Sequence, residues 1–104
     1  MEIKQISYPA KGAFYLKKNI QREEKGILMQ CGTAVFNKGE EFPYKSIDFH
    51  EISYLLSGKL EVEIKSGEKK IMNAGDLIYL NKDEVRQSKT LEDSKLLFFL
   101  VKDI

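Results

Sequence analysis

The stretch GEEFPYKSIDFHEISYLLSG, Gly39 to Gly58, holds the chain's one histidine, His50, and beside it a carboxylate, Glu51, at the start of an apolar, strand-forming run. A Glu in that place is a metal ligand, a general acid or base, half of an ion pair, or a surface residue. Adjacent side chains on a strand point to opposite faces. His50 and Glu51 therefore do not share a site unless a bulge re-aims one of them, and His50 reads as an ordinary partly buried or surface residue. The chain's one cysteine, Cys31, lies in Met29–Gln30–Cys31, a run that can turn it to the interior. A buried Cys is more often a small hydrophobe than a nucleophile, and nothing else in the sequence supports a Cys31–His50 pair.

The elements that must position Glu51 are strands. Breaks recur at Gly12, Lys25–Gly26, Asn37–Lys38–Gly39, Ser57–Gly58, Ser66–Gly67, Asn73–Ala74–Gly75 and Asn81–Lys82–Asp83, with short strand-forming runs between them. No long helical period intervenes, so the pattern predicts an all-β sandwich or barrel. In KLEVEIK, Leu60, Val62 and Ile64 alternate with Glu61, Glu63 and Lys65, as in a half-buried strand. A hairpin is expected around Ser66–Gly67. DLIYL and LLFFLV (Leu96 to Val101) are apolar on both faces and need cover on both, or a subunit contact. KKNIQREEKG lacks an apolar face and reads as loop or edge strand.

A chain of 104 residues forms one domain, 1–104, with a modest core. At 42% apolar and 32% charged it is not a disordered composition. The net charge of +1 comes from interleaved acids and bases, which excludes the basic stripe of a nucleic-acid binder. Its longest apolar run is too short to span a bilayer, and the N-terminus lacks a signal-peptide core. One cysteine makes no internal disulfide, which fits a reducing compartment such as the cytoplasm.

The glycine frame resembles the two motifs of the cupin superfamily. Gly39, five residues, Lys45, one residue, Ile47, three residues, Glu51, six residues and Gly58 follow the spacing of the first. Gly75, five residues, Asn81, one residue, Asp83, two residues, Arg86, three residues and Thr90 follow the second. YLLSGKLEVEI and NAGDLIYLNKDEV are similar to the strand–turn–strand that closes the first motif and the Gly-Asp turn that opens the second. The resemblance implies a cupin-type double-stranded β-helix, a jelly-roll barrel. It also implies that the metal-ligand positions are Lys45, Ile47, Glu51 and Arg86. Ammonium and guanidinium groups have no lone pair to offer a cation and Ile has no ligand atom, so no metal or other cofactor is expected.

Within the superfamily, the missing histidines are similar to the small single-domain cupins of the ethanolamine-utilisation kind and to the N-terminal sensor domains of AraC-type regulators. A free-standing cupin is favoured over an excised sensor domain, and no recognition helix is in the sequence. The frame implies that Lys45 and Arg86 surround Glu51. Two readings stand: a structural ion pair in a vestigial metal site, or a positively balanced pocket for a small anion, with Tyr54 and Tyr79 among the candidate aromatic lining residues and Tyr44, Phe49, Phe98 and Phe99 as further ones. A binding module is preferred, the sensor domain is second, and a metal-independent isomerase or lyase using Glu51 is third, since Lys45 and Arg86 would hold its carboxyl low. A homodimer is expected from LLFFLV together with Ile52, Tyr54 and Leu56, which lie opposite Glu51.

Overall fold

Glycine and asparagine punctuation leaves runs too short for helices, and the chain folds as seven antiparallel strands. They are β1 (Leu16–Glu24), β2 (Ile27–Phe36), β3 (Glu41–Lys45), β4 (His50–Ile64), β5 (Lys69–Asn73), β6 (Leu77–Leu80) and β7 (Arg86–Asp103). The structure, a computed structural model, describes all 104 residues.

The two long strands organise the rest. β4 and β7 pair along nearly their whole lengths, from His50↔Val101 to Ile64↔Arg86. One half of the pair carries β2 and β1 beyond β7 and β6 beyond β4. The other half carries β3 beyond β7 and β5 beyond β4. The two halves meet at register shifts between Leu55 and Leu60. Gly58 sits there with φ +94°, and a Cβ on it would lie 2.2 Å from Ser94 Oγ and 2.3 Å from the Asp93 carbonyl oxygen. Only glycine accepts both the left-handed backbone and that approach.

Ser57–Gly58 is thus a bulge inside one continuous strand, whereas the sequence pattern suggested a turn between two. The bulge also changes which residues face inward. Before it Glu51, Ser53 and Leu55 are buried; after it Leu60 is buried and Val62 packs against the core. Ala34, Phe36, Leu55, Leu60, Met72 and Leu96 form the core. The architecture is the cupin-type jelly roll that the glycine frame implies.

The hairpin expected at Ser66–Gly67 is present, closed by Gly67 N–H to the Ile64 carbonyl at 2.9 Å and by Ile64 N–H to that of Glu68 at 3.0 Å. KKNIQREEKG forms most of edge strand β1 and turns into β2 at Lys25–Gly26. Its one buried residue, Asn19, exchanges hydrogen bonds with the Ser7 backbone, tying the N-terminal segment to the sheet. No helix of the protein is long and apolar enough to cross a membrane.

Candidate functional site

The site is built in the barrel interior, where side chains from the start of β4 and the start of β7 meet. Glu51 is on a central strand, paired with Leu80 of β6 on one side and Leu100 of β7 on the other. Strand alternation sends its side chain inward, where it is 8% exposed. A buried carboxylate must be paired and hydrogen-bonded to stay charged. Here both oxygens are engaged. Arg86 Nη2 donates to Oε1 at 2.9 Å, and Ser53 Oγ donates to Oε2 at 2.7 Å. Ser53 is two residues along the same face, so its place was readable from the strand period. Arg86 is 35 positions away and arrives only through the sheet.

The Arg86 guanidinium is half used. It grips the carboxylate through one nitrogen instead of the two-pronged bond that Arg makes with carboxylates elsewhere. Its Nη1 is buried and has no hydrogen-bond partner within the protein. Arg86, Glu51 and Ser53 line a cavity of about 170 Å³ in the barrel interior, and 13 of its 18 lining residues are hydrophobic. Lys45 lines the same cavity, but its ammonium does not meet Glu51. It donates instead to the Tyr15 hydroxyl at 3.0 Å and lies 5.6 Å from that ring's centroid. The cause is local. Strand β3 ends at Lys45, and residues 46–49 are not extended strand, so the uniform alternation expected from position 45 to 51 does not hold.

Aromatic rings close one end of the cavity. Tyr15, Phe36 and Phe42 pack on one another with centroids 4.9 to 5.8 Å apart. Sequence reasoning missed all three, because Tyr15 comes from a segment with no strand period and the other two carry no motif. Of the aromatic candidates from sequence, Phe98 lines the cavity. Tyr54 and Tyr79 do not. Even-numbered residues of β4 ahead of the bulge point out, and Tyr79, paired to Ile52, stands on the same outer face with 55% of its surface exposed. Phe99 is also on that face, Tyr44 donates to Glu63 at 2.9 Å, and Phe49 lies under the Lys102 ammonium.

His50 is exposed on the outer face. Its Nδ1 accepts the Lys82 N–H at 3.3 Å and lies 3.1 Å from the Tyr79 hydroxyl. Cys31, whose partner across the sheet is Phe99, lines an outer groove with His50 and does not face the barrel interior. Burial pushes its thiol up from the ordinary value, the opposite of what a nucleophilic thiolate needs.

A family model described as an EutQ-like cupin domain matches residues 29–95. The chain belongs to that family. Among solved structures this cupin is similar to a conserved protein of unknown function from Streptococcus pyogenes, with TM-score 0.72 and 20% identity over 86% of this chain and 74% of the other. It is similar to the cupin domain of Cnp3 from Schizosaccharomyces pombe, with TM-score 0.71 and 20% identity over 86% and 66%. It is also similar to the EutQ protein of Clostridium difficile, with TM-score 0.70 and 24% identity over 83% and 65%. At these identities the likeness is one of fold, and the chain spans just under two thirds of the EutQ and Cnp3 chains. No curated protein matches the sequence.

The residues of this cupin do not fit the metal that its superfamily implies. Glu51 is the one metal-type donor among the frame's four ligand positions and is already held by Arg86 and Ser53. Nowhere in the chain do three His, Cys, Asp or Glu side chains come together in a group able to hold a metal ion. The second motif still turns as the frame requires. Asp83, where the motif has glycine, adopts φ +65°, a left-handed conformation that Asp tolerates.

Proposed function

We propose that this protein is a metal-independent cupin that binds a small anionic molecule in its barrel. The observation that carries the reading is the free Nη1 of Arg86, a buried charged donor without an acceptor beside an apolar cavity. Leaving such a donor unsatisfied costs about 1–3 kcal/mol or more, and a guest acceptor removes that cost. Charge supports the same reading. Buried Arg86 offsets buried Glu51, and Lys45, exposed at the cavity's rim, tips the balance to positive. Catalysis by Glu51 is a poorer account, because both of its oxygens are occupied and its strongest partner is a cation. The same pocket would serve the ligand-sensing domain of a transcription regulator. A lone free thiol, Cys31, suits a reducing compartment such as the cytoplasm.

Titration calorimetry of the wild type and Arg86→Met against a panel of carboxylates and sugar phosphates tests the reading. The expected outcome is binding by the wild type that weakens by about 1.5–3 kcal/mol in the variant, the worth of a hydrogen bond to a charged group. No binding across the panel, with a lower melting temperature for the variant, leaves Glu51 and Arg86 as a structural ion pair.

We also propose that the outer face of the β2–β7–β4–β6 sheet half joins a second copy of the chain. Met29, Ile52, Tyr79, Phe99 and Val101 stand there 41–55% exposed. The barrel has one interior and no second layer to cover them, and an apolar patch of this kind is unusual on a monomer. Light scattering that reports a monomer at tens of micromolar would rule the dimer out.

A further inference from the structure

We infer that the ligand of the barrel is a small monocarboxylic acid with an unsubstituted hydrocarbon body, and not a sugar acid, a dicarboxylate or a phosphate. The inference deepens the anion-binding reading above and rests on it.

Three features of the cavity select this class. The first is charge. Glu51 and Arg86 are buried and offset each other, and Lys45, exposed at the cavity's rim, adds one positive charge. One carboxylate neutralises it. A second carboxylate, or a phosphate carrying between one and two negative charges, leaves excess negative charge among apolar walls, where it is poorly solvated.

The second is the supply of polar partners. Besides the charged groups, the cavity offers the hydroxyls of Ser53, Ser88 and Tyr15. Ser53 is committed to Glu51, and Tyr15 already accepts from Lys45. A polyhydroxylated body therefore leaves several hydroxyls without partners, and each one weakens binding. A hydrocarbon body needs none. It finds Leu60, Met72, Ile78, Leu80, Leu96 and Phe98, most of them buried.

The third is size. About 170 Å³ is little more than an apolar cavity of roughly 150 Å³ that takes up benzene. It is below the range of about 300–1,000 Å³ common for pockets of drug-sized ligands. Lys45 and Arg86 are paired across β3 and β7, and Glu51 reaches Arg86 from β4 through its side chain. The ligand therefore lies with its carboxylate at Arg86 Nη1 and its body toward Leu60 and Met72. Arg86 then bridges two carboxylates, Glu51 through Nη2 and the ligand through Nη1, and Glu51 fixes the guanidinium for its guest.

Calorimetry with a fixed set of probes tests this: benzoate, 3-methylbutanoate, benzamide, gluconate, succinate and glycerol phosphate. The expected result is binding of benzoate or 3-methylbutanoate. Benzamide, gluconate, succinate and glycerol phosphate are each expected to bind at least tenfold more weakly than the better of the two. Gluconate, succinate or glycerol phosphate binding as tightly as the two hydrophobic acids overturns the inference and leaves the anion reading intact. Benzamide binding as tightly as benzoate overturns the anion reading itself. Silence from every probe overturns both. These comparisons use the wild-type protein throughout, so they hold even where Arg86 variants fail to fold. Met72→Phe adds a readout of depth: it shortens the apolar end and is expected to weaken benzoate at least tenfold, and unchanged affinity overturns the proposed orientation.

Discussion

The two faces of the β4–β7 pair are inverted in opposite senses. The inner face, which ought to be apolar, carries an ion pair, Glu51 with Arg86, whose side chains are 10% and 13% exposed. The outer face, which ought to be polar, carries Ile52 and Phe99, each close to half exposed. Each inversion costs stability in a monomer with an empty barrel: buried charges lose hydration, and exposed rings order water. A sequence tolerates both where something else meets those groups. In the proposals above, a charged small molecule meets the inner face and a second copy of the chain meets the outer one. Because side chains alternate, one strand pair presents two faces of unrelated chemistry.

The inner face is expected to give the largest effect. Glu51→Ala leaves Arg86 as an uncompensated buried charge and is expected to destabilise the fold by about 3–5 kcal/mol in urea titrations. The double variant Glu51→Leu with Arg86→Met is expected to recover most of that loss. A Glu51→Ala protein as stable as the wild type would show that the pair is in contact with water and that the inner face is not inverted at all.

The corner that separates the two halves of the pair comes next. Gly58→Ala forces a Cβ against Ser94 and Asp93 in a left-handed backbone. A loss of about 1–3 kcal/mol is expected, read from thermal melts. Because the bulge sets which residues face inward beyond it, loss of the cavity's ligand affinity is expected to accompany the lower melting temperature.

The outer face is expected to respond differently. Phe99→Glu should leave the folding stability of the monomer within about 0.5 kcal/mol, as surface changes usually do, while light scattering shifts from dimer to monomer. A large loss of stability with no change in mass would mean that Phe99 belongs to the fold and not to an interface.

The smallest effect concerns an ion pair of the ordinary exposed kind, which calibrates the buried one. Asp48 is held below the usual carboxylate range first by the Lys82 ammonium and then by that of Lys102, both at 3.1 Å. A carboxyl whose folded pKa is depressed contributes stability that is fully present above its unfolded value, about 3.9, and is lost as pH falls through the lower folded value. Asp48→Asn is therefore expected to melt slightly below the wild type at neutral pH, with the gap closing under about pH 4.

Much of the scaffold was legible in the sequence. The strict alternation of KLEVEIK reports a half-buried strand because the side-chain period of a strand is two. Gly75 before Asp76 reports a turn because the backbone there is left-handed, and the turn closes with Asn73 N–H on the Asp76 carboxylate at 2.8 Å. The missing histidines leave the frame's ligand positions without the donors a transition metal prefers, since a donor set is a matter of residue type. LLFFLV shows where such reading ends. Leu96, Phe98 and Leu100 line the cavity and Phe99 stands outside, but both sets are apolar, so composition does not distinguish a face that meets the core from one that meets solvent or a partner.

Strand period, most turn positions and the want of histidines around Glu51 can be read along the chain. Which groups Glu51 meets in the barrel cannot. Arg86 reaches it across 35 positions, while Lys45, nearer in the chain, turns to Tyr15 across 30. The reason is physical: alternation is a local property and assigns each side chain to a face. Which faces converge depends on the register of paired strands and on the bend at Gly58, and those are set by contacts between residues far apart in the chain.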